Sequence, residues 1–362
     1  FLGARLAMPG EFSFRAVRNG KMSLSQSQAV ADLISAQNGG AAALALDKLS
    51  GRQHQQMAAI AEDLRNLAVL GEVGIDFADQ DVEEVSLPVL QKKAAGIQRT
   101  LEQIKATFGR GKLLQEGFRV VFLGLPNSGK SSFFNALLGE DRSIVSDIAG
   151  TTRDSVRETL TLQSERGSVT LRLEDTAGVR QTDDQIERLG IERTWTAAKT
   201  ADLLLWIVES GSKDSDLDEL RAHSQLEGGI RERSIGIVTK GDLLSNSEIP
   251  EKISLFFKEL GISRVLLSSA QVGAGIEECS KAIVEDCLLR VRRDPGEVLL
   301  TRMEHLNAIE NCIEMLERAR MALGRTFLLQ MSACPGALAP IIGDTLTEEI
   351  LGRIFSSFCI GK

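Results

Sequence analysis

No stretch of the 362-residue chain approaches the roughly 20 apolar residues that a membrane-spanning helix needs. The longest apolar run, Leu203-Leu-Leu-Trp-Ile-Val208, has the length of a strand. No basic-then-apolar leader opens the chain, so no secretory signal is read and no membrane partner is expected. The chain also lacks an initial methionine, and Phe1-Leu-Gly-Ala-Arg5 reads as the interior of a longer sequence. Cysteine is sparse: Cys279, Cys287, Cys312, Cys334 and Cys359 include no C-x-x-C pair. That argues against a zinc site or a disulfide framework and fits a reducing, cytoplasmic setting. Positive charge is in deficit, with 42 Lys and Arg against 50 Asp and Glu for a net charge of −8. General affinity for nucleic acid runs on phosphate neutralisation, so any RNA contact would need a local basic patch. Two small clusters exist, Arg290 with Arg292 and Arg293, and Arg110 with Lys112 and Arg119. A solvated surface is the plainer reading of each. No internal repeat or low-complexity tract is found.

What remains is the composition of an ordinary globular protein with room for two domains. The apolar period divides it into three zones. From about 25 to 115 it is helical: Met57, Ile60, Leu64 and Leu67 form one stripe, and Ala94, Ile97, Leu101, Ile104 and Phe108 another, with Gly109 as a stop signal. Between about 118 and 290, short apolar runs alternate with polar helical stretches, at Val120–Leu123, Val169–Leu173, Leu203–Val208, Ile235–Val238 and Val265–Leu267. This texture predicts a mostly parallel α/β sheet. After 290 helix returns, with Leu306, Ile309, Ile313, Leu316, Ala319 and Leu323 on one stripe. Only the middle zone has enough elements to close its own core. The expected architecture is therefore an α/β domain inserted into one discontinuous all-α domain, with two independent helical tails as the alternative.

The strand Val120–Leu123 runs into Gly124-Leu-Pro-Asn-Ser-Gly-Lys-Ser131, a G-x-x-x-x-G-K-S phosphate loop followed by a helical stretch. Its backbone N–H groups, Asn127, Ser128, Gly129 and Ser132 among the contributors, are expected to face anionic oxygens. The helix N-terminus adds its partial positive charge. Lys130 should reach the β- and γ-phosphates, and Ser131 should ligate Mg²⁺.

The base is read elsewhere. Thr239-Lys-Gly-Asp242 follows the strand Ile235–Val238, where a GTPase places its base-reading element. Asp242 can accept both the N1–H and the N2 amino proton of guanine, and adenine offers no such donor pair. Sites built to pair a polar group reject analogues lacking it by roughly 10⁴–10⁵. Lys240 would lie along the base face, and Ser269-Ala270 resembles the element whose backbone meets guanine O6. Thr239 stands where many GTPases carry an asparagine that ties this segment to the phosphate loop, and its absence predicts looser nucleotide binding with the guanine preference kept.

Asp175-Thr-Ala-Gly178 matches D-x-x-G, so Asp175 would hold Mg²⁺ and the Gly178 N–H would sense the γ-phosphate. Upstream, Gly150-Thr-Thr-Arg-Asp154 offers Thr152 as a switch threonine for Mg²⁺, released when the γ-phosphate is lost. An alternating segment from Val156 to Leu162 could pair with Val169–Leu173 as a hairpin. Val179 follows Gly178, where many GTPases use glutamine to orient the attacking water. Another group must do this, and the transition state also needs added positive charge, worth 10³–10⁵ in rate when an arginine finger supplies it.

Asn127, the run Ile144-Val-Ser-Asp-Ile-Ala-Gly-Thr-Thr-Arg-Asp154, Asp175–Gly178 and Glu187-Arg-Leu-Gly-Ile-Glu192 together resemble the MnmE/TrmE family. So do Arg5-Leu-Ala-Met-Pro-Gly-Glu-Phe-Ser-Phe-Arg-Ala16, Ser25-Gln-Ser-Gln-Ala-Val-Ala-Asp-Leu-Ile34 and Ile354-Phe-Ser-Ser-Phe-Cys-Ile-Gly-Lys362. The resemblance covers essentially the whole chain. It implies a K⁺ ion in place of an arginine finger, held by Asn127 and by oxygens around Ser146, Ile148 and Thr151, and ordered when two G domains meet in a homodimer. It implies that Glu187 positions the water; from the residues alone Glu187 is a solvated helix carboxylate. It implies that Cys359 serves tRNA modification and not GTP hydrolysis; otherwise Cys359 is an incidental thiol, since Gly361 and Lys362 fit a prenylation signal poorly.

The expected domains are 1–20 as the remnant of an N-terminal domain, 21–115 and 291–362 as the two parts of a helical domain, and 116–290 as the G domain. By the resemblance, GTP hydrolysis to GDP is coupled to installing a carboxymethylaminomethyl group on C5 of the tRNA wobble uridine. The partner is a flavoprotein, MnmG/GidA, carrying FAD. A folate one-carbon donor belongs to the N-terminal domain that this chain mostly lacks. A ribosome-assembly GTPase of the Era or Der type should show an RNA-binding module, and none is read. A nucleotide-gated scaffold and a P-loop ATPase stand as further alternatives.

Overall fold

A computed structural model of the chain describes residues 5–76, 86–140, 156–174, 196–223, 231–246, 248–294, 296–322 and 325–342. The chain divides into two compact units. One comprises Phe1–Ala36, Ala41–Gln115 and Arg293–Lys362, and the other Gln37–Gly40 and Glu116–Arg292.

The first unit is helical. It holds α1 (Glu11–Arg18), α2 (Leu24–Ile34), α3 (Gly39–Leu49, most of it), α4 (Arg52–Asp76), α5 (Leu87–Ala106) and α6 (Phe108–Glu116) before the interruption. After the interruption come, in this unit, Met303–Met321, Arg325–Ala337 and Ala339–Ile342. Local chemistry starts some of these helices. Ser23 and Gln26 cap α2 reciprocally, the Ser23 hydroxyl accepting from the Gln26 N–H at 3.2 Å and the Ser23 N–H donating to the Gln26 amide oxygen at 2.9 Å. A proline in the first turn suits the start of α5.

The two flanking segments share one core. Met57, Leu64 and Leu67 of α4 and Ala94, Leu101 and Ile104 of α5 are buried against Ile309, Cys312, Leu316 and Met331. That explains the stripes in the sequence: each helix buries a face too narrow to form a core alone. Gly109, read as a stop signal, is instead inside α6. The break falls at Thr107, whose hydroxyl donates to the Ile104 carbonyl at 2.7 Å and accepts from the Leu300 N–H at 3.0 Å. A tertiary contact ends α5, and the glycine does not.

The second unit is a six-stranded sheet. Its strands are β1 (Phe118–Leu123), β2 (Val156–Ser164), β3 (Gly167–Glu174), β4 (Leu203–Glu209), β5 (Ser234–Thr239) and β6 (Val265–Leu267). The helices described with them are α7 (Lys130–Glu140), α8 (Asp214–His223), α9 (Glu251–Glu259) and α10 (Ile276–Arg290). The sheet order is β2-β3-β1-β4-β5-β6. Among the described strands only β2 runs antiparallel, paired with β3 as a hairpin; the other neighbours are parallel. β1 and β4 are buried almost throughout, as strands covered on both faces must be, hence their unbroken apolar runs. Residues 37–40 join this unit through Asn38 Nδ2, which donates to Thr170 Oγ1 at 2.8 Å, and through the Gly39 N–H, which donates to Ser168 Oγ at 3.0 Å. Among the described residues, no helix is long and apolar enough to cross a membrane.

β1 lies where the order reverses, with β3 on one side and β4 on the other. The crevice beyond the carboxyl ends of such strands is where open α/β sheets bind ligands. The loops after β1, β5 and β6 all emerge there.

Candidate nucleotide site

The phosphate loop occupies residues 124–131. Edge-to-face rings fix the helix behind it: Phe122 of β1 meets Phe133 and Phe134 of α7 at centroid distances of 6.4 and 6.2 Å. The first glycine is dictated by space. A Cβ on Gly124 would sit 2.3 Å from the Ile207 carbonyl oxygen and 2.8 Å from Ser128 Oγ. Gly129 takes φ 90°, and Asn127 takes the left-handed region at φ 61°, which asparagine tolerates better than most residues. Asn127 is exposed and makes no hydrogen bond among the described residues. Lys130 opens α7, whose first N–H groups have no intrahelical acceptors.

Lys130 is buried, and its ammonium donates to the Gly124 and Leu125 carbonyls at 2.8 and 2.7 Å. It has no carboxylate partner among the described residues. Burial pulls its pKa from the ordinary lysine value down to about 8. The buried Ser128 hydroxyl has no hydrogen-bond partner among the described residues. A buried cation held by neutral carbonyls, with helix N–H groups beside it, is the fit an anionic phosphate requires.

A pH dependence follows. Phosphate binding favours the charged amine, so above the free pKa binding must take up a proton. The affinity for GDP is expected to be flat on the acid side and to fall as pH rises through about 8. Lys130→Met should bind weakly and lose this slope; titration of a fluorescent GDP across that range checks both.

The base end is built on β5 and β6. Thr239 Oγ1 donates to the Ser128 carbonyl at 2.6 Å, so the threonine ties the base-reading segment to the phosphate loop by itself. The asparagine is absent, yet the hydroxyl at the end of β5 still links this segment to the phosphate loop. Like Asn127, Lys240 is a non-glycine residue with positive φ, at 56°. Its ammonium pairs with Glu209 at 2.8 Å. Asp242 sits exposed on a single 3₁₀ turn, Gly241–Leu243, and the Ser269 hydroxyl donates to its carboxylate. The Gly241 N–H donates to the Ser268 carbonyl at 2.9 Å, joining the β5 and β6 loops.

The structure thus gathers Asn127, Ser128, Gly129, Lys130, Ser131 and Ser132 on one loop and helix start, and Thr239, Lys240, Asp242, Ser269 and Ala270 beside the neighbouring strand ends. Ser146, Ile148, Thr151, Thr152, Asp175, Gly178, Glu187 and Cys359 lie outside the described residues. Sequence reasoning missed Glu209 and Ser210, which follow an apolar run and carry no motif. Four of the five arginines in the two basic clusters serve the fold. Arg290 pairs with Asp286 and donates to the Asp202 and Glu232 carbonyls; Arg119 pairs with Asp202, Arg110 with Glu297, and Arg293 with Asp47.

The family model of the MnmE helical domain matches residues 24–359. The tRNA modification GTPase MnmE of Psychrobacter arcticus is 37% identical over 374 residues, which cover 100% of this chain and 76% of that protein. That of an Azoarcus species is 38% identical over 366 residues, covering 100% and 77%. The chain belongs to the MnmE family. Among solved structures, Era in complex with MgGDPNP and nucleotides 1506–1542 of 16S ribosomal RNA is 22% identical and covers 55% of this chain and 66% of that one, with a TM-score of 0.35. The helical unit, interrupted in the chain by the sheet unit that bears the phosphate loop, is the part that the family model describes.

Proposed function

We propose that this tRNA modification GTPase hydrolyses GTP with K⁺ supplying the positive charge that an arginine finger gives elsewhere, and that it does so as a homodimer. Hydrolysis is coupled to carboxymethylaminomethylation of the wobble uridine with an FAD-carrying partner of the MnmG/GidA kind. The observation that carries the reading is Asn127: exposed, left-handed and unpartnered among the described residues, on the loop that holds Lys130. Its amide oxygen, with oxygens at Ser146, Ile148 and Thr151, suits a hard monovalent cation. Lys130 binds the β- and γ-phosphates. Ser131, Thr152 and Asp175 hold Mg²⁺, which polarises the phosphate oxygens. Gly178 senses the γ-phosphate, Glu187 positions the water, Asp242 and Ala270 read the guanine edge, and Lys240 lies along its face. Cys359 serves the modification reaction, and a folate one-carbon donor belongs to the intact family protein.

Steady-state GTP hydrolysis in matched KCl and NaCl tests this. Several-fold stimulation by K⁺, lost in Asn127→Ala, is expected. Equal rates in both salts, unchanged by the substitution, would leave the GTPase and remove the cation.

A further inference from the structure

We infer that Glu209 and Ser210, at the carboxyl end of β4, are positioning residues for guanine-nucleotide binding that act through Lys240. The inference rests on the reading of Thr239–Asp242 as the base site and adds to it two residues no motif contains.

Lys240 must satisfy two demands. Its backbone lies in the left-handed region, unfavourable for a residue with a side chain, so that the chain can turn from β5 into the 3₁₀ turn bearing Asp242. Its side chain must lie extended along the base, and a free lysine stem loses much rotamer freedom on doing so. β4 answers both. The Ser210 N–H donates to the Thr239 carbonyl at 3.0 Å, and the buried Ser210 hydroxyl donates to the Lys240 carbonyl at 2.8 Å, fixing the peptides on either side of the turn. Glu209, in register with Thr239, holds the Lys240 ammonium at 2.8 Å. The stem is therefore anchored at both ends before any base arrives. Because Thr239 Oγ1 also grips the Ser128 carbonyl at 2.6 Å, the same short segment links β4, the base site and the phosphate loop.

The ion pair is about one-third exposed, with side-chain exposures of 38% for Lys240 and 31% for Glu209. Its effect should accordingly be modest: Glu209→Gln should speed release of fluorescent GDP about two- to fivefold. If Glu209 works through Lys240, the effect disappears in a Lys240→Met background, where the stem remains and the ammonium is gone. Stacking acts on the base face, so GDP and inosine diphosphate, which differ only at the edge, should be affected by the same factor.

The decisive experiment is stopped-flow release of both nucleotides from wild type, Glu209→Gln, Lys240→Met and the double variant. Non-additive acceleration by one factor for both bases supports the inference. Slower release in Glu209→Gln would mean that the carboxylate only repels the nucleotide, and overturns it. So would an unchanged rate, an effect that persists beside Lys240→Met, or a factor that differs between the two bases. Displacement of GDP by ATP as readily as by GTP in the wild type would instead fail the base-site reading itself, a result distinct from all of these.

Discussion

Asp242→Asn is expected to turn the preference of the chain from guanine to xanthine nucleotides. In the proposed base site the carboxylate would accept two hydrogen bonds, from N1–H and from the N2 amino group. An amide in the same place accepts one proton and donates another. Xanthine carries a carbonyl where guanine carries the amino group, so its edge matches the amide and clashes with the carboxylate. The penalty for a mismatched polar edge is large, roughly 10⁴-fold when the site is built to pair it. Ser269 helps the exchange, because its hydroxyl donates to one carboxylate oxygen of Asp242, and an amide oxygen can accept the same bond. Competition of GDP and xanthosine diphosphate against a fluorescent nucleotide measures the shift. A variant that keeps its guanine preference would show that the edge is read by other groups. Ser269→Ala, which frees the carboxylate to rotate, should weaken guanine binding without creating affinity for xanthine.

The parts of this site that could be read from the sequence are those whose chemistry is local. The phosphate loop is eight consecutive residues between a strand and a helix, and its spelling carries its geometry. The strands showed as apolar runs because parallel strands are buried on both faces. Long-range pairings did not show. Thr239 and Ser128 are 111 residues apart, and nothing in a threonine at position 239 announces a bond to that carbonyl. Glu209 looks like the polar end of a strand until Lys240 is folded beside it. The stop placed at Gly109 failed for the same reason, since Thr107 ends α5 with a hydroxyl whose partner, Leu300, is 193 residues away. Propensity proposed a break, and packing moved it.

Those distant pairings culminate in the helical unit, where the second large effect is expected. The Lys48 ammonium donates to Asp32 at 2.9 Å, Gln115 at 3.0 Å and Thr301 at 2.5 Å. Arg302 reaches the other Asp32 oxygen at 3.0 Å, and the Gln115 amide donates to it at 3.2 Å. Gln115 closes the first helical segment, and Thr301 and Arg302 belong to the second, so the cluster joins the two segments. Lys48 and Asp32 side chains are only 7% and 11% exposed. Asp32→Asn would leave a buried ammonium without its counter-charge, a loss of about 3 kcal/mol or more. The pH dependence identifies the cause. Burial already outweighs Asp32 and holds the Lys48 pKa below the ordinary 10.5. Between the folded and unfolded values the unfolded chain binds more protons, so stability rises with pH through that window. Without the Asp32 charge the folded value drops further and the window widens towards neutral pH. Asp32→Asn should therefore be worst near neutrality and recover in part as pH climbs towards 10.5. Denaturant unfolding followed by far-ultraviolet circular dichroism, at several pH values, reads both quantities. A deficit independent of pH would assign the loss to Asp32 packing alone. In the pH-dependent case Lys48→Met beside Asp32→Asn should restore stability, because it is the unpaired buried charge, and not the missing bond, that the fold cannot accommodate.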